Sequence, residues 1–346
     1  MAMFQGRMLV GALKVIMLSA VVSIWAAQAA LAQTGTADRD PTKITGPDEC
    51  AECHKHENTV WKATHHFKTF RAMPRSKESK KITKKMKIKR VKSESLCLTC
   101  HFTNQKKKKR TKAISGISCE SCHSAGEDWL KVHAEFSGNK KKELESKAQA
   151  RSRWKKSEAA GMIRPRQLYK LAKNCYSCHV VPQEKLVNVG GHPAGSKFEL
   201  VSWSQGEVRH NLWYSDGKKN SKASSSRKRM MYIVGVAVEL ETALRAVGKA
   251  TKKKTYAVKM AKRAAAARKR MAAVAKALPK VKQLRNIVKA GKSAKLKLKN
   301  DAALSAAADK VAKEILSLTA KYNGSKFAAI DKMIPGPDKY KGKPAK

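Results

Sequence analysis

Cysteine and histidine are absent from Asn211 to Lys346, more than a third of the chain. That stretch cannot supply a thiolate or imidazole ligand, nor a cysteine for the thioether attachment of a cofactor. Acidic residues are scarce throughout: 26 Asp and Glu stand against 75 Lys and Arg, a formal net charge of +49. Such a surface draws acidic partners and repels cationic ones. Aromatic residues make up 6% of the chain, too few for a base-stacking platform, so nucleic acid is not expected as a functional partner despite the charge. Long apolar runs are scarce as well. One extends from Met8 to Leu31, and nothing after it is long and apolar enough to span a bilayer.

That run follows a short basic start at Arg7 and ends at Ala30-Leu31-Ala32, a small-residue cleavage pattern before Gln33. Residues 1–32 therefore read as a secretory signal peptide. An uncleaved anchor with Lys14 snorkelling is the competing reading. Cleavage would leave the mature chain in the periplasm or another extracytoplasmic space.

Export and an even cysteine count suggest disulfides. The spacing argues otherwise. The 8 cysteines form the pairs Cys50/Cys53, Cys97/Cys100, Cys119/Cys122 and Cys175/Cys178, each followed at once by His54, His101, His123 or His179. Zinc coordination and thioredoxin-like redox chemistry both use Cys-x-x-Cys, yet neither requires a histidine after every second cysteine. Cys-x-x-Cys-His is the attachment signature of c-type haem, in which two thioethers from one helical turn hold the macrocycle and the histidine ligates the iron from one side. Four covalently attached haem c groups are expected, using every cysteine.

Six histidines remain: His56, His65, His66, His133, His192 and His210. A lone histidine is more often a surface or packed residue than a ligand, but each of four irons has a sixth position to fill. His133 lies in the helix-like EDWLKVHAEF. On a continuous helix, ten residues would put it about 15 Å from His123 with the side chains roughly 80° apart, so it is expected to reach a different iron. His65 and His66 are adjacent and point about 100° apart on a helix, so only one serves a given iron. His192 and His210 lie in a Gly- and Pro-punctuated stretch of the kind that wraps a cofactor. His56, between charged residues, reads as exposed. Methionine is the competing axial ligand, but none of the 12 recurs in step with the motifs.

Around these residues the chain resembles the cytochrome c-554 family, tetrahaem electron carriers best known from ammonia-oxidising bacteria. The resemblance rests on CAECHKHENTVWKATHH at 50–66, with Trp61, Lys62, Thr64 and His66, and on GISCESCH at 116–123 with His133 following. It implies that His66 and His133 are distal ligands. It also implies a mostly helical fold with haems in stacked and near-perpendicular pairs, and transfer from a multihaem dehydrogenase to a downstream cytochrome. One haem of that family lacks a distal ligand, whereas this chain has both His192 and His210. Four bis-histidine haems are therefore expected, closed by His66, His133, His192 and His210.

Three regions follow: the leader 1–32, a tetrahaem cytochrome c domain at 33–222 and a Lys/Ala-rich helical region at 223–346. The expected fold class is mainly α, with little regular sheet, haems forming much of the core, and a C-terminal helical bundle extension. SDGKKNSKASSSRK at 215–228 reads as a polar linker. Ile233, Val236, Leu240, Leu244 and Val247 then recur at helical spacing. Further helices are predicted near 252–278, ended by Pro279, and near 301–322, capped by Asn300 or Asp301. The extension should pack on the haem domain or mediate assembly.

Basic runs at 77–92 and 106–110 flank the second motif. Such runs are usually solvated surface, but beside a haem they would steer an acidic redox partner to it, with an anionic membrane surface as a secondary target. The expected function is one-electron carriage through bis-histidine haems without a substrate. The competing expectation is a reductase acting on nitric oxide, nitrite or hydroxylamine at a five-coordinate haem. A third, a conductive filament, would use histidines donated between subunits.

Overall fold

The computed structural model describes residues 37–344, so the leader predicted at 1–32 lies outside them. Helix accounts for 61% and strand for 4%, in agreement with the mainly α expectation. Short helices built around the four motifs come first, and long helices follow.

Helix α1 (Pro47–Ala51) carries Cys50, and α2 (Lys55–Ala63) starts directly after His54. Thr64 then breaks the chain into an extended conformation, and its hydroxyl accepts from Phe67 N to start α3 (His65–Ala72). Helix α4 (Lys77–Met86) holds part of the first basic run, and α5 (Ser95–His101) ends on the second motif. Strands β1 (Thr103–Lys107) and β2 (Arg110–Ser115) pair antiparallel as a hairpin, the only sheet among the described residues. Helix α6 (Cys119–His123) is the third motif, followed by α7 (Leu130–Ala134) and α8 (Lys147–Ala159). The fourth motif closes α9 (Leu168–His179), and two short helices follow, α10 (Glu184–Asn188) and α11 (Leu200–Ser204).

The polar linker is shorter than its composition suggested. Ser224 accepts from Arg227 N and caps α12 (Ser225–Lys249), so the last four residues of 215–228 are already helical. Helix α13 (Thr255–Ala277) ends before Pro279, and α15 (Asp301–Lys321) starts where predicted. Asn300 makes no side-chain cap, however; its amide donates to Lys295 O at 2.7 Å. Helix α14 (Lys282–Lys292) lies between them. Its inward residues Leu284, Ile287 and Ala290 recur at helical spacing, with lysine and arginine between them.

Helix α12 is buried nearly all round, from Met230 to Gly248, as befits the centre of a bundle. Helices α9, α11, α13, α14 and α15 all pack against it. At Gly235 a Cβ would come within 2.9 Å of the Leu200 side chain, so glycine lets α11 lie flush on α12. One apolar cluster runs from Leu168 and Tyr176 through Leu240 to Ile330, crossing residue 222. The motif region and the Lys/Ala-rich region, distinct in composition, thus share a core. The tail returns too: Lys341 pairs through its backbone with Ser202 and Glu207.

Candidate functional site

In motifs two to four the histidine is the last residue of its helix. Both cysteines and the histidine of each of these motifs are therefore arranged on about one helical turn, as expected. The first motif departs from that arrangement at Cys53. Helix α1 ends at Ala51, and Cys53 lies in the turn between α1 and His54. The chain still closes there, because His54 N donates to Cys50 O at 2.9 Å.

Cys53 is exposed, whereas the other seven cysteines are buried or half-buried. Outside the helix, Cys53 is flanked by the exposed Glu52 and followed by the exposed Lys55 and His56. Its Cys-x-x-Cys-His spacing is intact.

No disulfide joins any of the eight cysteines. The motifs approach in twos, Cys50 meeting Cys119 and Cys100 meeting Cys178 within hydrogen-bonding reach. Cys53 takes no part in these meetings.

Every motif histidine faces one of the remaining histidines. Ring centres lie 6.1 Å apart for His54 and His133, and 6.3 Å for His66 and His179. They lie 6.2 Å apart for His101 and His192, and 6.3 Å for His123 and His210. A first-row metal bonds an imidazole nitrogen at about 2 Å, and the ring centre lies about 1 Å behind it, so two imidazoles on opposite sides of one metal have centres roughly 6 Å apart. All four spacings fit that requirement, and no histidine is used twice. Among the described residues no group of three or more His, Cys, Asp or Glu is arranged to hold a bare metal ion. The donors come in facing twos, as the axial positions of a haem require.

A ligating histidine needs a neutral ring with one nitrogen free, and its other N–H usually finds an acceptor. Burial pushes His101, His123, His133 and His179 down to about 4 and also lowers His66, so these rings are neutral at pH 7. Nδ1 of His123 bonds Ile163 O, that of His179 bonds Ser196 Oγ, that of His192 bonds Pro193 O and that of His210 bonds Val208 O, each at 2.7 Å. In all four the Nε2 atom is left to ligate. His133 Nδ1 is buried without a partner.

The residues that carry the family resemblance have local physical roles. Trp61 Nε1 donates to Ile117 O at 2.7 Å, tying α2 to the entry of the third motif. The Thr64 cap turns the chain so that His66, and not His65, faces inward. Gly116 has no room for a side chain, because a Cβ would stand 2.1 Å from His66 O. Ile117 N bonds that same oxygen. Inside the third motif, Glu120 is buried and accepts from Thr45, Gly46 and Gly126 backbone N–H groups.

Arg39 was not singled out by the sequence reading. Its guanidinium donates to Thr99 O beside the second motif, to Ser121 O in the third, and to Asn174 and Cys178 on α9. Three motifs are joined at this one side chain. Nothing in the composition or spacing around Arg39 marks it, because its partners, two backbone carbonyls and two side chains, are all distant in sequence.

His56 and His65 stay outside the facing pairs, and both are exposed. His65 Nδ1 bonds Glu207 at 2.7 Å. His133 is not on a helix continuous with α6, because Ser124 takes a left-handed φ of 75° and the chain turns before α7. It nonetheless faces His54, and not His123.

Residues 49–124 match the family described as cytochrome c554 and c-prime. The cytochrome c-554 of Nitrosomonas europaea is 24% identical over 143 residues, which cover 39% of this chain and 57% of that protein. The match thus spans little more than half of the relative's length. No solved structure matches. The two matches bear out the likeness to the cytochrome c-554 family drawn from the motifs.

Proposed function

We propose, with that likeness as premise, that the chain is a periplasmic tetrahaem electron carrier whose four irons are all bis-histidine. The observation that carries this reading is the one-to-one facing of His54 with His133, His66 with His179, His101 with His192 and His123 with His210 at a spacing suited to one iron. Each bound haem would supply an iron that cycles between ferric and ferrous. The eight cysteines fix the four macrocycles as thioethers, Cys53 doing so from an exposed turn, and the eight histidines close both axial positions. The meetings of Cys50 with Cys119 and of Cys100 with Cys178 bring attachment sites together in twos, which favours electron passage within each pair.

A reductase for a small nitrogen compound needs an iron with one axial position open to substrate. Here each motif histidine already has a facing imidazole, and this favours the carrier. The partner would be an acidic redox protein. The tip of the β1–β2 hairpin, Lys107 to Arg110, is exposed and begins six residues after His101, so it offers that partner a basic contact beside the second haem. The reduced protein should bind no carbon monoxide. A carbon monoxide band at one haem equivalent would overturn the carrier reading and return the reductase.

A further inference from the structure

The C-terminal helices carry no cysteine or histidine, yet they reach one of the motif histidines through a single intermediary. His179 Nδ1 lies 2.7 Å from Ser196 Oγ. Ser196 belongs to a short stretch that runs back antiparallel along the end of the fourth motif. Its N–H bonds His179 O at 3.1 Å, Val181 N bonds Ala194 O, and Val180 pairs with Gly195. Gly195 permits this approach: its φ is 150°, and a Cβ would stand 2.5 Å from His179 O. On the far side, Arg263 of α13 donates to Ser196 O at 2.5 Å. The same guanidinium bonds Glu239 of α12 at 3.2 Å, and Arg270 bonds the other oxygen of that buried carboxylate.

We infer that Arg263 is a positioning residue for the fourth haem, through which the C-terminal helices set that haem's reduction potential. This rests on the reading of His179 as an iron ligand. With Nε2 on the iron, Nδ1 carries the proton and donates to Ser196 Oγ. That donation makes the imidazole a more basic ligand, which favours ferric iron and lowers the potential. The acceptors differ between sites. His123 has the Ile163 carbonyl, fixed within the motif region, while the Glu57 carboxylate stands 3.6 Å from His54, beyond hydrogen-bond distance. The acceptor for His179 is a hydroxyl, and its backbone is held by a residue 67 positions later in the sequence. Glu239 and Arg270 fix Arg263 in turn, so the bundle holds the hydroxyl in register.

The sign of the effect separates positioning from simple charge. Losing a positive charge near an iron lowers its potential, whereas losing the Nδ1 acceptor raises it. Ser196→Ala removes the acceptor, Ser196→Thr keeps it, and Arg263→Lys keeps the charge while losing the two-sided grip on Ser196 and Glu239. The experiment is a redox titration of each purified haem-loaded variant followed by electron paramagnetic resonance. His66→Ala serves as the marker, since it should open the same iron and so identify its signal. In Ser196→Ala one midpoint should rise while three stay. A tenfold change in the preference for ferric over ferrous iron would be read as a shift of about 59 mV for one electron. Arg263→Lys should move the same midpoint upward, and Ser196→Thr should restore it. An unchanged or lowered midpoint in Arg263→Lys, with His66→Ala still opening one iron, would overturn the inference and leave the ligand reading intact. If His66→Ala opened no iron, the ligand reading itself would fall, and the inference with it.

Discussion

His54 and His133 face each other with ring planes 13° apart, while His123 and His210 stand at 86°. The other two pairs lie between, at 54° and 57°. The angle has a magnetic consequence. Near-parallel imidazoles interact with the same iron π orbital and split the π set, whereas crossed imidazoles leave that set almost degenerate. The His54–His133 pair should give a rhombic low-spin ferric signal and the His123–His210 pair a strongly anisotropic one, resolved by electron paramagnetic resonance of the oxidised protein. Four indistinguishable signals would contradict the pair geometry.

Arg153 holds His133 in place. Its guanidinium donates to His133 O and makes a two-pronged bond to Glu145 at 2.6 Å on each side, with both side chains nearly inaccessible. Removing one partner of a buried pair costs about 3–5 kcal/mol. Arg153→Met should therefore destabilise strongly in denaturant titration and give a high-spin fraction at the iron of His54. The pair also sets an acid limb. Arg153 holds the Glu145 carboxyl below the usual carboxylate range, so its stabilising effect is complete above about pH 4.3 and is lost as pH falls through the lower folded value. The difference between wild type and Arg153→Met should shrink over that acid interval and stay constant above it.

The hairpin tip is the proposed contact for an acidic partner. Reversing Lys107, Lys108, Lys109 and Arg110 to glutamate should slow electron transfer to an acidic acceptor about tenfold or more at low salt, with little effect near 1 M, where charges are screened beyond about 3 Å. Stopped-flow rates across a salt series measure this. A flat salt response in the wild type would remove the electrostatic docking.

The shared core makes a claim about the boundary near residue 222. Protease should nick the largely exposed polar segment at 215–223, but the two pieces should stay together, because Tyr176, Val201 and Leu240 belong to one cluster. Leu240→Ala, fully buried on α12, should cost about 2–5 kcal/mol and lower the melting temperature of the whole protein in one transition. Two separate transitions would show that the regions fold independently.

Much of this was readable from the residues. The four motifs are local, so attachment chemistry follows from a five-residue spacing. The long helices follow from apolar periodicity, and Pro279 and Asn300 mark their bounds. The spacing alone made the four motifs look alike, and it did not reveal that Cys53 sits in an exposed turn after α1. That difference comes from where the helix stops, which the Cys-x-x-Cys-His pattern does not encode. Which histidine faces which motif was not readable either, because it depends on backbone turns such as the left-handed Ser124 and the extended Thr64. The spacing argument set His133 apart from His123 by rotation along one helix, whereas in the structure a turn at Ser124 separates them. Arg39, Ser196 and Arg263 were invisible for a further reason. They act through single contacts to groups far away in the chain, many of them backbone carbonyls, and such contacts leave no pattern in a sequence.

The central claim is that every iron has two histidines. It is tested most directly by a quantitative spin count from electron paramagnetic resonance of the fully oxidised protein, normalised to chain concentration. The account predicts four low-spin ferric centres per chain and no high-spin signal. A high-spin centre approaching one per chain would contradict it.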